Sequence, residues 1–251
     1  MFLTFNEKNN SAVRTVIKTL LSAEVRFQAD TFKTEVIIML KMLQGLENKV
    51  DSFRQTYTCK SELSIDNKDT VLYLITAKAY NHDAQWLTLR KVVPNDPKAR
   101  IDYNNKAVLL KWIQKEIEDY LNGNIDCESD FDKWHQSICQ EIVDRINNEV
   151  LFGYKPVKIG KAQKVINMSL KLLSSLDGAE RYESKFAFCH VPLDSKILNW
   201  YYSNIAKDVK KSHYKIWSNL EYEDYIKIQK DFRIYCANTE YVPLALEWKI
   251  F

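Results

Sequence analysis

The sequence predicts a mostly α-helical protein with a small antiparallel β insertion. Glycine and proline number only five each among 251 residues, and so few helix breakers favour long helices over a sandwich or barrel. Apolar residues recur at helical spacing through most of the chain, whereas residues 57–93 are rich in β-branched and aromatic residues. We expect residues 1–251 to form a single domain of two lobes.

The N-terminal part is predicted to hold two amphipathic helices, residues 11–28 and 32–50, followed by the β insertion at 57–93. Within the insertion, the stretches TVLYLITAKAY and QWLTLRKVV are typical of strands, and DNKD and NHDA are typical of turns between strands. We therefore expect two or three short antiparallel strands there. PNDPKARIDYNN is predicted to be a loop.

Helices are predicted again in the second half of the chain. One runs from about 105 to 121, where NGN ends the pattern, and another from about 129 to 150. FGYKPVKIG, residues 152–160, is predicted to be a basic hairpin. Further helices are predicted at 161–176, 194–210, 221–236 and 243–251.

Charge is distributed unevenly. The formal net charge is +3, but residues 154–216 contain twelve Lys or Arg and only five Asp or Glu. A basic third suits a polyanion such as nucleic acid, although a solvated lysine-rich face explains the same counts. No run of 18 apolar residues occurs, and the first ten residues lack an apolar stretch, so we expect no membrane span and no signal peptide. Five scattered cysteines predict reduced thiols in a cytoplasmic protein.

Two short patterns resemble known sites, but each lacks residues that the site requires. GKAQ has Ala162 where a phosphate-binding loop needs Ser or Thr, and Lys155 where that loop needs its first glycine. His135 and Cys139 lie four residues apart on one predicted helix, but no second pair of metal ligands stands nearby in the sequence. We therefore expect no metal site.

The stretch IGKAQKVINMSLKLL, residues 159–173, contains residues that could take part in catalysis. On a helix, Lys164, Met168 and Lys171 share one face at positions i, i+4 and i+7. A neighbouring cation lowers the pKa of a lysine, and the neutral amine is a nucleophile. Downstream, VPLDSKIL places Asp194 at a predicted helix start. Both residues also have ordinary explanations, Lys164 as a surface lysine and Asp194 as a helix N-cap.

The order of a hairpin, a helix with a lysine and a downstream aspartate resembles the helix-hairpin-helix DNA glycosylase superfamily. The hairpin lacks the LPGVG-type glycines of the main branch. The chain is more similar to the archaeal 8-oxoguanine DNA glycosylase branch, in which a hairpin with one glycine precedes a Gln-Lys pair and a P-x-D helix start follows about thirty residues later. The resemblance covers residues 150–251, which would be the helix-hairpin-helix catalytic region.

The resemblance implies a role for several residues. Lys164 would be the nucleophile of a glycosylase, with or without a lyase activity, and Asp194 its catalytic aspartate. The implied base pocket consists of Met168, Lys171, Glu247, Phe251 and Asn9. The implied contacts to the DNA backbone are Lys158, Gly160 and Lys161. The family needs no metal or cofactor, and it implies a monomer that binds double-stranded or damaged DNA and is associated with the nucleoid.

Two other classes of protein stay open at this point. One is a non-catalytic DNA-binding or assembly protein that kept the fold, and the other is a helical protein with no nucleic-acid role. The excised base also stays open. Oxidised guanine is the usual substrate of the resembling branch, and a modified base of the kind found in phage DNA is the alternative.

Overall fold

A computed structural model of the chain describes residues 46, 64–84 and 98–250. The helices predicted at 11–28 and 32–50 lie outside these ranges, apart from residue 46, and so do residues 57–63 and 85–93 of the predicted β insertion. The mostly helical class is confirmed for the described part. Within that part, no helix is long and apolar enough to cross a membrane.

The first described helix overturns the prediction of strands in the middle of the 57–93 insertion. Helix α1 spans Lys68–Tyr73 and continues as π-helical turns over Leu74–Asp83. Asn67, predicted to be in a turn, is its N-cap, and its side-chain oxygen accepts hydrogen bonds of 3.1 Å from the amides of Asp69 and Thr70. Its buried residues, among them Val71, Ile75 and Tyr80, recur at helical rather than alternating spacing, so tertiary packing overrides the β propensity of the segment.

A small antiparallel sheet exists, but it lies elsewhere in the chain. Strand β1, Arg100–Ile101, pairs with strand β2, Leu151–Phe152, with Arg100 opposite Phe152. Between the two strands, α2 spans Tyr103–Asn122 and α3 spans Glu128–Arg145, followed by π-helical turns over Ile146–Val150. These helices confirm the predictions at 105–121 and 129–150.

The remaining predicted helices are also present, with shifted ends. Helix α4 spans Ile159–Leu173, α6 Ser195–Asn204, α7 Tyr222–Cys236 and α8 Pro243–Ile250. Between α4 and α6 lies the short helix α5, Glu183–Ala187, which was not predicted. Short 3₁₀ turns lie at Ala179–Tyr182, Lys211–His213 and Trp217–Asn219. The predicted hairpin at 152–160 is irregular after β2, and its last two residues already belong to α4. Helix α6 is shorter than the predicted 194–210.

Helix α4 lies at the centre of the described fold. It packs most extensively against the π-helical end of α1 and then against α3. All of its residues except Lys161 are buried, including polar ones on every face. A helix that is buried all round normally carries apolar residues only, so each polar side chain on α4 needs a partner inside the protein. A second apolar cluster joins α6, α7 and α8 beside it.

Candidate active site on the central helix

The two predicted catalytic residues meet in the structure. Lys164 lies on α4 and is 4% exposed. Its Nζ donates a hydrogen bond of 2.9 Å to Asp194 Oδ2. The other carboxylate oxygen of Asp194 accepts a 2.9 Å hydrogen bond from the amide of Ile197 and caps α6. Asp194 is therefore an N-cap and the partner of a buried lysine at the same time, whereas Lys164 is not a surface residue.

A second buried ion pair involves Lys171, which lies seven residues, or about two helical turns, after Lys164 on α4. Lys171 pairs with Glu247 of α8, and both residues are buried. The Lys171 ammonium also lies 4.2 Å from the ring centroid of Trp248. Burial lowers the pKa of Lys171, and the nearby Glu247 carboxylate opposes that shift. Burial likewise raises the pKa of Glu247, opposed by Lys171. The two shifts bring a proton donor and a proton acceptor closer together in strength.

The two ion pairs form one electrostatic cluster. The charge of Lys164 contributes to the lowered pKa of Lys171, and the charge of Asp194 contributes to the raised pKa of Glu247. Met168 lies between the two lysines in sequence and is buried. The structure therefore brings together Lys164, Asp194, Lys171 and Glu247, four residues that the resemblance assigned to one site. Asn9 and Phe251, the other two predicted pocket residues, lie outside the described residues.

Asp83 is a third carboxylate of the cluster, and sequence reasoning missed it. It lies at the end of the π-helical turns and contributes to the electrostatic environment of Lys171. Its Oδ1 lies 3.0 Å from His82 Nδ1 and 3.7 Å from Lys78 Nζ. Its Oδ2 is buried, and no described residue hydrogen-bonds to it. The stretch NHDA was predicted to be a strand turn, and a helical interpretation of that segment is what would have directed attention to Asp83.

Three residues were predicted to bind the DNA backbone. In the structure, each of them contacts another part of the protein. Lys158 pairs with Glu221. The amide of Gly160 donates a 3.1 Å hydrogen bond to the carbonyl of Leu220, so it is not available to a phosphate in this arrangement. Lys161 Nζ donates a 2.7 Å hydrogen bond to the carbonyl of Ala84. A phosphate that binds at the start of α4 must displace such contacts.

Gly160 and Lys161 are also packed against the 3₁₀ turn at Trp217–Asn219. A Cβ atom on Gly160 would lie 1.8 Å from the carbonyl oxygen of Trp217, so only glycine fits here. The Lys161 ammonium lies 4.7 Å from the centroid of the Trp217 ring. Burial lowers the pKa of Lys161 to about 8. The last glycine of the predicted hairpin, Gly160, is thus required for close packing.

A largely buried polar network, which was not predicted from the sequence, lies next to the cluster. It joins α4 to α3, α7 and the segment before α6 through side-chain hydrogen bonds. Its members are Asp132, His135, Gln163, Asn167, His190, Tyr225 and Arg233. At its far end, Arg233 binds the carboxylate of Asp132 with two hydrogen bonds of 2.8 and 2.9 Å. Hydrogen-bonded networks of this kind restrict the positions that their members can adopt.

The metal pair considered in the sequence, His135 and Cys139, takes part in this buried region. Cys139 Sγ lies 3.6 Å from His135 Nε2, and both residues are buried. Burial lowers the pKa of His135 and raises the pKa of Cys139, which keeps both groups neutral. Among the described residues, no group of three or more metal-ligating side chains is found.

Comparisons with known proteins assign this chain to no class. No protein-family model, no curated protein and no solved structure matches it. Its function is therefore inferred from the chemistry of the site.

Proposed function

We propose that this protein is a DNA glycosylase that extrudes and excises a damaged or modified base, with Lys164 as nucleophile and Asp194 as catalytic carboxylate. The single observation that carries the proposal is the 2.9 Å hydrogen bond between Lys164 Nζ and Asp194 Oδ2. It links an amine and a carboxylate that are thirty residues apart, and it does so beside a second lysine–carboxylate pair on the same helix.

The proposed reaction uses the pair in sequence. Lys164 first gives a proton to Asp194, and the neutral amine then attacks C1′ of the nucleotide. The bond between Nζ and C1′ forms as the glycosidic bond breaks, and the electron pair leaves with the base, which takes up the proton from Asp194. The restored carboxylate then takes one proton from the nitrogen of the new C1′–N bond; the C1′–O4′ bond breaks as the C1′–N double bond forms, and the ring oxygen takes up that proton. The carboxylate, ionised again, stabilises the resulting cationic Schiff base. Water then hydrolyses the Schiff base, or elimination of the 3′ phosphate precedes hydrolysis and gives a lyase activity.

The second pair would hold the extruded base. Lys171 offers hydrogen-bond donors and Glu247 offers acceptors, so together they can bind a base edge that has both functions. The Trp248 ring, which lies against the Lys171 ammonium, and the Met168 side chain, which is buried on α4 between the two lysines in sequence, would supply apolar surface. Lys164, Lys171 and Glu247 are nearly inaccessible in this structure. Entry of a base must therefore displace the side chains that cover them.

Contact with DNA would come from exposed lysines beyond α6. Lys207, Lys210 and Lys211 are all exposed and follow one another closely after Asn204. They belong to the basic stretch 154–216, and lysines of this kind bind phosphates with a strong dependence on salt concentration. A DNA affinity that falls steeply as salt rises is therefore expected.

Borohydride trapping tests the proposal directly. Duplex oligonucleotides with different damaged or modified bases are incubated with the protein and sodium borohydride, and covalent adducts and released bases are measured. We expect an adduct with at least one oligonucleotide, and we expect Lys164→Gln to abolish the adduct while DNA affinity stays within a few-fold. Salt-dependent DNA binding without any adduct would instead indicate a non-catalytic DNA-binding or assembly protein. An adduct that persists in Lys164→Gln would move the nucleophile to another lysine.

A further inference from the structure

The residue before the proposed nucleophile makes an unusual set of hydrogen bonds. Gln163 is fully buried on α4. Its Nε2 donates to the carbonyl of Leu193 at 2.8 Å and to the carbonyl of Gly160 at 3.0 Å. Its Oε1 accepts from the amide of Leu193 at 3.2 Å and from Asn167 Nδ2 at 2.9 Å. An amide side chain has two donor and two acceptor positions, so Gln163 uses all four.

The two hydrogen bonds to Leu193 connect α4, which carries Lys164, to the segment that carries Asp194. Gln163 precedes Lys164 on α4, and Leu193 precedes Asp194 at the start of α6. One planar amide therefore bonds both backbone groups of Leu193, which fixes the distance and the relative orientation of the two segments. Because the carboxylate of Asp194 must reach Lys164 Nζ from this position, the amide sets the geometry of the pair.

We infer that Gln163 is a positioning residue that holds Asp194 against Lys164, an inference that rests on the proposed function. The orientation of the Gln163 side-chain amide is in turn fixed by Asn167. Asn167, whose Nδ2 donates to Gln163 Oε1, also donates to the hydroxyl of Tyr225 at 2.8 Å. The Oδ1 of Asn167 lies 3.0 Å from His135 Nε2. Because Asn167 is held on both sides, the Gln163 amide cannot turn over without breaking several buried hydrogen bonds.

The chain offers a matched control for this amide. Gln229 of α7 is also fully buried and bonds the backbone of Val191 in the same manner. Its Oε1 accepts from the Val191 amide at 3.0 Å, and its Nε2 donates to the Val191 carbonyl at 2.8 Å. Gln229 thus anchors the same segment two residues earlier, but it does not attach that segment to α4. Loss of either amide removes the same kind of contact.

The test compares Gln163→Met with Gln229→Met, in each of which a side chain of similar length loses the amide. Base release is measured in single turnover at saturating enzyme, together with DNA affinity and thermal stability. We expect a larger loss of thermal stability in Gln163→Met, because it removes four hydrogen bonds and Gln229→Met removes two. DNA affinity should stay within a few-fold in both, and the base-release rate should fall about 100-fold in Gln163→Met only, because small misplacements at a reacting centre have effects of this size. Equal rates in the two variants would overturn the inference. Should Gln163→Met fail to fold, Gln163→Asn, which keeps the amide on a shorter side chain, replaces it with the same expectation.

A second measurement separates this inference from the proposed function. The buried, hydrogen-bonded ammonium of Lys164 should give a protected ¹⁵N–¹H resonance, which is assigned by its absence from Lys164→Gln. We expect this resonance to be lost in Gln163→Met and retained in Gln229→Met. If the wild-type protein gave no adduct with any oligonucleotide, the proposed function would fail, and this resonance would still decide whether Gln163 positions the pair. Its persistence in Gln163→Met would overturn the positioning role.

Discussion

Replacement of Asp194 by asparagine separates the two tasks of this carboxylate. The change keeps Oδ1, and with it the 2.9 Å hydrogen bond from the Ile197 amide that caps α6. It removes the negative charge opposite Lys164, whose side chain is 5% exposed. Breaking a buried ion pair costs about 3–5 kcal/mol of stability. Because the Asp194 side chain is 24% exposed, solvent screens part of this loss, and we expect about 2 kcal/mol.

Asp194→Ala provides the comparison, because it removes the cap as well as the charge. Loss of an N-cap costs about 1 kcal/mol, so Asp194→Ala should be less stable than Asp194→Asn by about that amount. The assay is urea unfolding of both variants and of the double variant Lys164→Met/Asp194→Asn, in which no buried ammonium is left unpaired. The double variant should recover most of the loss seen in Asp194→Asn.

The same variants distinguish the catalytic role from the structural one. We expect Asp194→Asn to lower the rate of base release by roughly 100-fold or more, since asparagine cannot take the proton from Lys164 and pass it to the departing base. Wild-type stability together with wild-type turnover in Asp194→Asn would refute the reasoning, because it would show that the carboxylate charge serves neither the fold nor the reaction.

Three further predictions concern the neighbourhood of the pair. Gly160→Ala should destabilise the protein by about 1–3 kcal/mol in thermal unfolding, although alanine is the better helix former, because the added Cβ meets the Trp217 carbonyl; an unchanged midpoint would contradict this. Burial raises the pKa of Glu247 above 4.5, so the folded protein binds the proton more tightly than the unfolded chain. The stability of wild type relative to Glu247→Gln should therefore increase as pH falls from neutral towards 4.5 in urea unfolding, and a flat difference would refute it. Asp83→Asn should weaken the support of the Lys171 ammonium, lower its pKa further and change which bases are released from an oligonucleotide panel, whereas an unchanged base preference would exclude Asp83 from the pocket.

The helices that carry the site were predicted from the sequence. The helical segment at residues 68–83, which packs against α4, was not. Periodicity alone located α2, α3, α4, α7 and α8 to within a few residues, since each has a clear apolar stripe. Residues 70–80 were predicted to be a strand, with turns on either side, because their β-branched and aromatic content is local. The α4 surface that buries them is distant in the chain. Asp83 was missed with that segment.

The candidate site was predicted in part for a similar reason. Lys164 and Lys171 could be selected from their helical spacing and Asp194 from its predicted helix start, whereas Glu247 was assigned by the resemblance. Gln163 could not, since its role depends on the backbone of Leu193, and backbone hydrogen bonds leave no mark on residue type. Gly160 and Lys161 were expected to face a phosphate, but nothing in the local sequence shows that the turn at Trp217–Asn219 packs against them.

The central, fully buried position of α4 has a consequence for how variants of this protein behave in a cell. The proposed catalytic residues stand on the helix that also forms the middle of the core, so most substitutions on α4 change the folded fraction together with the chemistry. A loss of 1–2 kcal/mol is enough to change protein abundance several-fold through proteolysis. Phenotypes of α4 variants therefore need to be normalised to the amount of protein present. The exposed lysines at 207–211 lie on no core helix. Their substitution should therefore change the phenotype without changing the amount of protein.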